Sequence, residues 1–305
     1  MKSVLCPVLS LLLVSVSVGL VNSGCEDDGD DRLGDTDSDA DGDTDSDTDG
    51  DTDGDTDSDT DGDTDGDTDT EDCYEGIDIV FVLDVSTSMS MMLSELEADI
   101  AEVWTAANDL TPEENDVFFG LVVFVDDFLV ANDGSTPYAS AAELQADFNS
   151  WYTFTSSNQQ TQSTASNTDW PENTLDALVA AADHYQWRDA ETTLRVIIHA
   201  TDDTFLETPS SFSSGIQVQN DYAGTIATLQ AGTIRVASFA AHLGGMTGNI
   251  DVEPGFFTDY GAQSPIPNAT SGSVFDIDLV GVSLSLADAI NDFVAEEFCE
   301  DYVIE

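Results

Sequence analysis

One acid and two hydroxyls directly follow a buried strand in this chain. Residues 79–83 form an unbroken apolar run, which predicts that the strand over 77–83 is buried on both faces, and Asp84, Ser86 and Ser88 come straight after it. Apolar residues then recur at the spacing of one helical face from Met89 to Trp104. Ligands of open α/β sheets bind at this end of the strands, and carboxylate and hydroxyl oxygens suit Mg²⁺ or Mn²⁺. The sequence therefore predicts a divalent-cation site, the alternative being that Asp84 and Ser86 only cap the helix.

The pattern Asp-x-Ser-x-Ser after an apolar strand resembles the metal-ion-dependent adhesion site of von Willebrand factor A domains. Residues 167–172, Asn-Thr-Asp-Trp-Pro-Glu, are similar to the Asn-x-Asp-x-Pro-Glu segment of the integrin β-subunit version of that domain. The resemblance implies a bound Mg²⁺ or Mn²⁺ with an open position for a carboxylate oxygen of a protein or glycan partner. The implied ligands are Asp84, Ser86, Ser88, Glu172 and Asp202.

The same resemblance implies a second cation beside the first. Its ligands would be Asp126, Asn167, Asp169, Glu172 and the carbonyl of Pro171. Amide and backbone oxygens beside carboxylates suit Ca²⁺. Carboxylates delivered to one crevice from separate strand ends and loops repel one another unless a cation lies between them. The alternatives are that Asp126 is an exposed turn acid, and that Glu172 and Asp202 are solvated acids at helix starts.

Alternating strands and helices must position these residues. We predict strands over 77–83, 117–125, 128–131, 194–200, 234–240 and 273–277, and helices over 89–108, 139–149, 172–187, 216–230 and 284–298. This alternation predicts an α/β fold with a doubly wound, mainly parallel sheet flanked by helices, as in A domains and Rossmann-like folds. The predicted domain covers residues 73–302, and the resemblance extends over about residues 77–298.

The first 24 residues have the layout of a secretory signal peptide. Lys2 precedes an apolar stretch over 4–21, and small residues precede Cys25. Gly24-Cys25 resembles a bacterial lipoprotein signal, which implies lipidation of Cys25 and anchoring at the bacterial outer membrane or cell surface. Cleavage without lipidation, and hence secretion, is the alternative.

Residues 25–72 predict a disordered, extended tether. From Asp35 to Asp69 every second residue is Asp, and the residues between are Thr, Ser, Gly or once Ala. No apolar face exists at any period, and the like charges repel. Fragments such as Asp-Ser-Asp-Ala-Asp-Gly resemble the start of a calcium loop, but they lack the closing Glu and flanking helices, so we expect diffuse Ca²⁺ binding.

Four cysteines remain to be assigned. Cys6 leaves with the signal peptide, and if Cys25 is lipidated, Cys73 and Cys299 remain as a pair in an exported chain. A disulfide between them would join the two ends of the folded domain.

The charge balance excludes several kinds of function. The chain of 305 residues has a formal charge of −58 and only five basic residues, so nucleic acid is excluded as a partner. The single lysine, Lys2, lies in the predicted signal, which excludes P-loop and Schiff-base chemistry in the mature chain. We therefore expect an adhesion or binding module and no enzyme. The alternatives are a metal-assisted hydrolase at Asp84 and a polyanionic, calcium-binding surface protein that acts through its tether.

The charge also leads to a prediction about stability. Residues 73–305 carry 38 acidic residues against three arginines, a formal charge of −35. This self-repulsion destabilises the folded state, and salt screens it. The melting temperature of the protein should therefore rise when NaCl increases from about 0.01 M to about 1 M, which shortens the Debye length from ~30 Å to ~3 Å. CaCl₂ should raise it at lower concentrations than NaCl. A melting temperature that neither salt changes would contradict this.

Overall fold

The computed structural model of the protein describes residues 73–113, 116–133, 136–242 and 251–304. The predicted signal peptide, the lipidation site Cys25 and the Asp-rich linker lie outside these residues. Within them, no helix is both long enough and apolar enough to cross a membrane.

Six strands form a single sheet. They are β1 (Gly76–Asp84), β2 (Val117–Phe124), β3 (Phe128–Val130), β4 (Thr193–Thr201), β5 (Arg235–Ala240) and β6 (Val274–Asp276), in the order β3-β2-β1-β4-β5-β6. Every neighbouring pair is parallel except β2 and β3. The central strand β1 is buried along its whole length, because it pairs with β2 on one side and β4 on the other. This confirms the prediction that its continuous apolar run would be covered on both faces.

Helices cover both faces of the sheet. They are α1 (Ser90–Leu110), α2 (Ala141–Thr155), α3 (Thr174–His184), α4 (Tyr222–Ala231), α5 (Ile266–Ala269) and α6 (Leu286–Glu297). One core cluster joins α1, α2 and α6 to the sheet, and a second joins α3, α4 and α5 to the opposite face. The predicted doubly wound, mainly parallel α/β architecture is confirmed for the described residues.

Two helix predictions start too early. The helix predicted from residue 172 begins at Thr174, because the backbone N–H of Glu172 donates to the carbonyl of Thr204 and so joins a bridge beside the sheet. The helix predicted from residue 216 begins at Tyr222, where the side chain of Asp221 accepts a hydrogen bond from Gly224 N. In both places a tertiary contact or a cap fixes the first turn, and apolar spacing does not reveal it.

A disulfide and an arginine close the amino edge of the sheet. Cys73 and Cys299 are bonded, as predicted, so the start of β1 is joined to the end of α6. Near them the guanidinium of Arg188 donates to Asp78 Oδ1 at 2.7 Å, to a carboxylate oxygen of Asp116 and to the carbonyl of Ile77 at 2.8 Å. Burial raises the pKa of Asp78, and the hydrogen bonds and charge of Arg188 oppose that rise.

This contact predicts a large loss of stability in Arg188→Met. The substitution would leave the buried carboxylate of Asp78 without its cation, which costs about 3 to 5 kcal/mol of unfolding free energy. The measurement is the urea midpoint of the wild type and the variant. The double variant Asp78→Leu/Arg188→Met should recover part of the loss, because it leaves no unpaired charge. A single variant as stable as the wild type would show that the ion pair contributes nothing.

Candidate metal centre

The predicted site residues lie at the carboxyl edge of the sheet, around the ends of β1 and β4. These two strands are neighbours, although the chain passes through β2 and β3 between them. The order of the strands reverses direction at this point, and that is where a crevice opens above a doubly wound sheet. Asp84 is the last residue of β1, and Asp202 follows the last residue of β4.

Asp84 forms the floor of the site and is completely buried. Its Oδ1 accepts a hydrogen bond from the backbone N–H of Ser86 at 2.7 Å, and its Oδ2 accepts one from the hydroxyl of Thr201 at 2.9 Å. Burial, followed by the charge of Asp202, raises the pKa of Asp84 to about 8. The ionised form of this carboxylate is therefore costly unless a cation lies beside it.

The two serine hydroxyls connect Asp84 to Asp202. Ser86 Oγ lies 3.2 Å from Ser88 Oγ, and Ser88 Oγ donates to Asp202 Oδ1 at 2.8 Å. The side chain of Ser86 makes no capping hydrogen bond to the turn that follows it. The helix-capping alternative for this residue is therefore wrong, since both hydroxyls are directed to the other polar groups of the site.

Glu172 reaches the same place from the segment before α3. It is buried, its Oε1 accepts a hydrogen bond from Asn167 Nδ2 at 2.8 Å, and its Oε2 has no hydrogen-bond partner among the described residues. Burial raises the pKa of Glu172 well above its ordinary value, and the charges of Asp84 and Asp126 add to the rise. The alternative that Glu172 is a solvated acid at a helix start is therefore wrong.

A cavity of about 410 Å³ opens above these groups. Six of the residues predicted for the two sites line it, whereas Asp84, Asp126 and Pro171 do not. The six are Ser86, Ser88, Asn167, Asp169, Glu172 and Asp202. In the part of the chain that the structure describes, no three His, Cys, Asp or Glu side chains converge closely enough to hold a metal ion by themselves. Any cation held here must therefore also use hydroxyl or amide oxygens, or water.

Asp126 follows the end of β2 and does not line the cavity. It is completely buried, and neither of its carboxylate oxygens has a hydrogen-bond partner in the described part of the chain. Burial is the largest cause that raises its pKa to about 6. The alternative of an exposed turn acid is therefore wrong.

The other residues predicted for the second site differ in whether their oxygens have hydrogen-bond partners. Asn167 Oδ1 is buried and has no partner among the described residues, as expected of an oxygen kept for a ligand. The carboxylate of Asp169 instead accepts two hydrogen bonds from Ser213, one from its backbone N–H at 2.8 Å and one from its hydroxyl. Pro171 is half-buried between Asp169 and Glu172. The unpartnered buried oxygens of Asp126, Asn167 and Glu172 fit a hard cation such as Ca²⁺.

Several residues that support the site were not identified from the sequence. Gln160 is buried and its Oε1 accepts from the backbone N–H groups of Asp126 and Asp127, which fixes the turn after β2. Asn173 is buried and donates from Nδ2 to the carbonyl of Asp126 at 2.9 Å. Gln160 lies in a polar loop without periodicity, so no sequence signal distinguished it from its neighbours. Thr201 could have been found, because it is the last residue of β4 and directly precedes Asp202.

Comparisons with known proteins match this chain by structure but not by sequence. No protein-family model matches it, and no curated protein matches it. Two crystal structures of proximal thread matrix protein 1 from the mussel byssus are similar in structure, each with 14% sequence identity and a TM-score of 0.44. The match covers 76% of this chain and 48% of the byssus protein, so the chain spans about half the length of that protein. Similarity at this level supports no argument about function.

The hydrogen bond to Asp84 leads to a prediction for Thr201→Val. The change keeps the shape of the side chain but removes the hydroxyl that orients Asp84 Oδ2, and removing such a supporting group weakens metal affinity by about 10- to 100-fold. We expect the affinity for Mg²⁺, measured by calorimetric titration, to fall at least about tenfold.

Thr193→Val is the matched control, because Thr193 is also buried and begins the same strand at the opposite edge of the sheet. Its Mg²⁺ affinity should equal that of the wild type. Equal affinities in all three proteins would mean that Thr201 does not support a cation site.

Proposed function

We propose that this protein is an extracytoplasmic binding or adhesion module that engages a protein or glycan partner through a divalent cation at the carboxyl edge of its sheet. The observation that carries the proposal is the unpartnered Oε2 of Glu172, a buried carboxylate oxygen at the wall of an open polar cavity. A buried carboxylate oxygen without a hydrogen bond is costly, and a cation would remove that cost.

The first cation would be Mg²⁺ or Mn²⁺. Ser86, Ser88 and Glu172 would supply oxygens from the cavity wall, and Asp84 and Asp202 would supply negative charge from the floor and the rim. A small cation that keeps part of its hydration shell suits two hydroxyls and few direct carboxylates. When bound, the cation would supply a positive centre in the cavity that attracts a carboxylate oxygen of the partner.

The second cation would be Ca²⁺, held near Asp126. The unpartnered oxygens of Asp126, Asn167 and Glu172 support this assignment, together with the Pro171 carbonyl, while Asp169 would first have to release Ser213. Glu172 would then serve both sites with its one carboxylate. The role of the second cation would be to hold the wall of the first site in place.

The rim of the cavity offers the partner an apolar contact. Trp170 lines the cavity, and 50% of its surface is exposed. An exposed indole ring next to polar groups suits either an apolar side chain or the face of a sugar ring. We propose that Trp170 contacts the partner and takes no part in holding the cation.

We further propose that Cys25 carries a lipid and that residues 25–72 join the domain to a membrane surface. The alternative remains a secreted form of the same module.

We expect no bond cleavage, and a phosphatase and esterase screen with Mg²⁺ or Mn²⁺ would detect the hydrolase alternative. Two variants test the alternative of a polyanionic protein that acts through its tether. If that alternative holds, deletion of residues 27–72 would remove the function of the protein, while Asp84→Ala would leave it intact.

The first test is a calorimetric titration of Mg²⁺, Mn²⁺ and Ca²⁺ into the wild type and Asp84→Ala. The variant should lose a site of defined stoichiometry, because it removes the buried acid at the end of β1. Asp276→Ala is the control, since Asp276 also ends a parallel strand but does not line the cavity. Identical isotherms for the wild type and Asp84→Ala would contradict a cation centre at this position.

The second test concerns the partner. Capture of extracellular proteins or glycans by the immobilised chain should be lost in EDTA and in Asp84→Ala. Trp170→Ala should weaken capture while leaving the Mg²⁺ titration unchanged. Capture that survives both EDTA and Asp84→Ala would contradict a cation-dependent module.

A further inference from the structure

A second open surface lies between β6 and α6. Two clefts, of about 410 and 740 Å³, meet there at Glu296. The first extends from Ser283 past Phe275 to Glu296, and the second continues to Asp301 and Val303. Together they form a groove along α6, which we call the β6 groove. None of the residues predicted for the cation sites lines it.

The sheet edge in this groove has free backbone groups. β6 is the last strand of the sheet and pairs only with β5 in the described structure. Ser238 N donates to the carbonyl of Ser273, so Ser273 and Phe275 face β5, and the N–H and C=O of Val274 face outward because residues alternate along a strand. No described residue outside the sheet bonds to them. The opposite edge differs, because the side chain of Gln162 donates to the carbonyl of Phe128 in β3.

The wall of the β6 groove is acidic. Asp288, Asp292 and Glu296 are exposed and follow one another at four-residue spacing, which places them in a stripe along α6. Three more acids, Glu297, Glu300 and Asp301, line the lower cleft.

One buried arginine, Arg235, lies beside Glu297 and does not neutralise the exposed acidic stripe. Arg235 is 1% exposed, its Nε lies 3.2 Å from Glu297 Oε2, and its Nη2 donates to the carbonyl of Glu300. The ring of Tyr302 lies over its guanidinium at 5.4 Å. These contacts fix the lower end of the groove, while the exposed stripe on α6 has no basic neighbour in the described chain.

The floor of the groove is apolar. Phe275, Leu284 and Phe293 line the upper cleft, and Phe275 stacks on Phe239 of the core with ring centroids 4.8 Å apart. A strand laid beside β6 would direct alternate side chains to this floor and to the outside. α6 has 12 residues and is therefore about 18 Å long, which matches a strand of about five or six residues.

We propose that the β6 groove binds an extended, basic segment of a partner protein, which adds to the sheet as a seventh strand beside β6. Backbone hydrogen bonds to Val274 would supply general affinity, as in other cases of strand addition. Lysine or arginine side chains would face α6, with their charged ends on the stripe and their apolar stems against Phe275, and the apolar side chains that alternate with them would lie on the other face of the sheet, on the side of Val274. A second copy of this chain is disfavoured as the occupant, because the two acidic stripes would repel each other.

The test uses the full chain and a synthetic peptide as the probe. The peptide is acetylated and amidated and alternates lysine with valine over about seven residues, enough to span the groove. Binding is measured by fluorescence anisotropy, and the site is located by hydrogen exchange of the Val274 amide. A peptide of the same sequence with alternate N-methylated amides cannot pair with a strand edge, and spermine tests for attraction by charge alone.

Two variants of the protein remove the same amount of charge from different helices. Asp288→Asn/Asp292→Asn/Glu296→Gln neutralises the stripe on α6, and Asp99→Asn/Glu102→Gln/Asp109→Asn neutralises three acids of α1 as the control. We expect the first variant to bind the peptide about tenfold more weakly and the control less than twofold, in line with the modest worth of exposed ion pairs. The peptide should protect the Val274 amide, and the N-methylated peptide should not bind.

Three results would overturn the proposal. They are an equal loss of affinity in both variants, equal binding of the N-methylated peptide, and binding of the alternating peptide without protection of Val274. Spermine binding as tight as that of the peptide would also count against it, because strand addition needs a backbone. None of these results depends on a cation at Asp84.

Discussion

The distribution of its few basic residues is the constraint on which this structure depends. The folded part of the chain has only three arginines, Arg188, Arg195 and Arg235, and all three lie near the amino edge of the sheet. Arg188 pairs with Asp78, Arg195 donates to the carbonyls of Arg188 and Gly232, and Arg235 lies beside Glu297. No lysine or arginine is left for the carboxyl edge, where Asp84, Asp126 and Glu172 are buried. Burial of three acids without a base is costly, and the proposed cation would offset that cost.

The loops around the cavity are held by side-chain hydrogen bonds instead of regular secondary structure. Asp127 accepts from the backbone N–H groups of Thr161 and Gln162, and Asp176 accepts from those of Gln219 and Asn220. These acids are therefore used for structure, in contrast to the unpartnered Asp126 next to Asp127. The chain thus has acids of two kinds at this edge, some that organise backbone and some that have no partner among the described residues. The second kind marks the candidate site.

The sequence predicted the sheet well because the signal for a buried parallel strand is strong. Residues 79–83 are an uninterrupted apolar run, residues 194–200 are apolar except for Arg195 and His199, and both segments are buried strands in the structure. The position of Asp84 and Asp202 at neighbouring strand ends followed from that pattern. The supporting residues could not be predicted in the same way, because Gln160 and Asn173 act through contacts with a strand end more than 30 residues away in the sequence. The helix start at Thr174 was missed for a similar reason, because Glu172 bonds to Thr204, whereas the start at Tyr222 is fixed by the local cap Asp221.

The disulfide between Cys73 and Cys299 has a mechanical consequence. Cys73 leads directly into β1, and the same strand ends at Asp84 in the candidate site. A pull applied between the cavity and the N-terminal side of the domain would load β1 along its own axis. That strand is paired on both sides, over residues Ile77 to Asp84 with β2 and Gly76 to Leu83 with β4, so the load would act in shear on two ladders at once. The covalent bond to the end of α6 would pass part of the force to the helical layer, which gives the domain the geometry of a tension-bearing link.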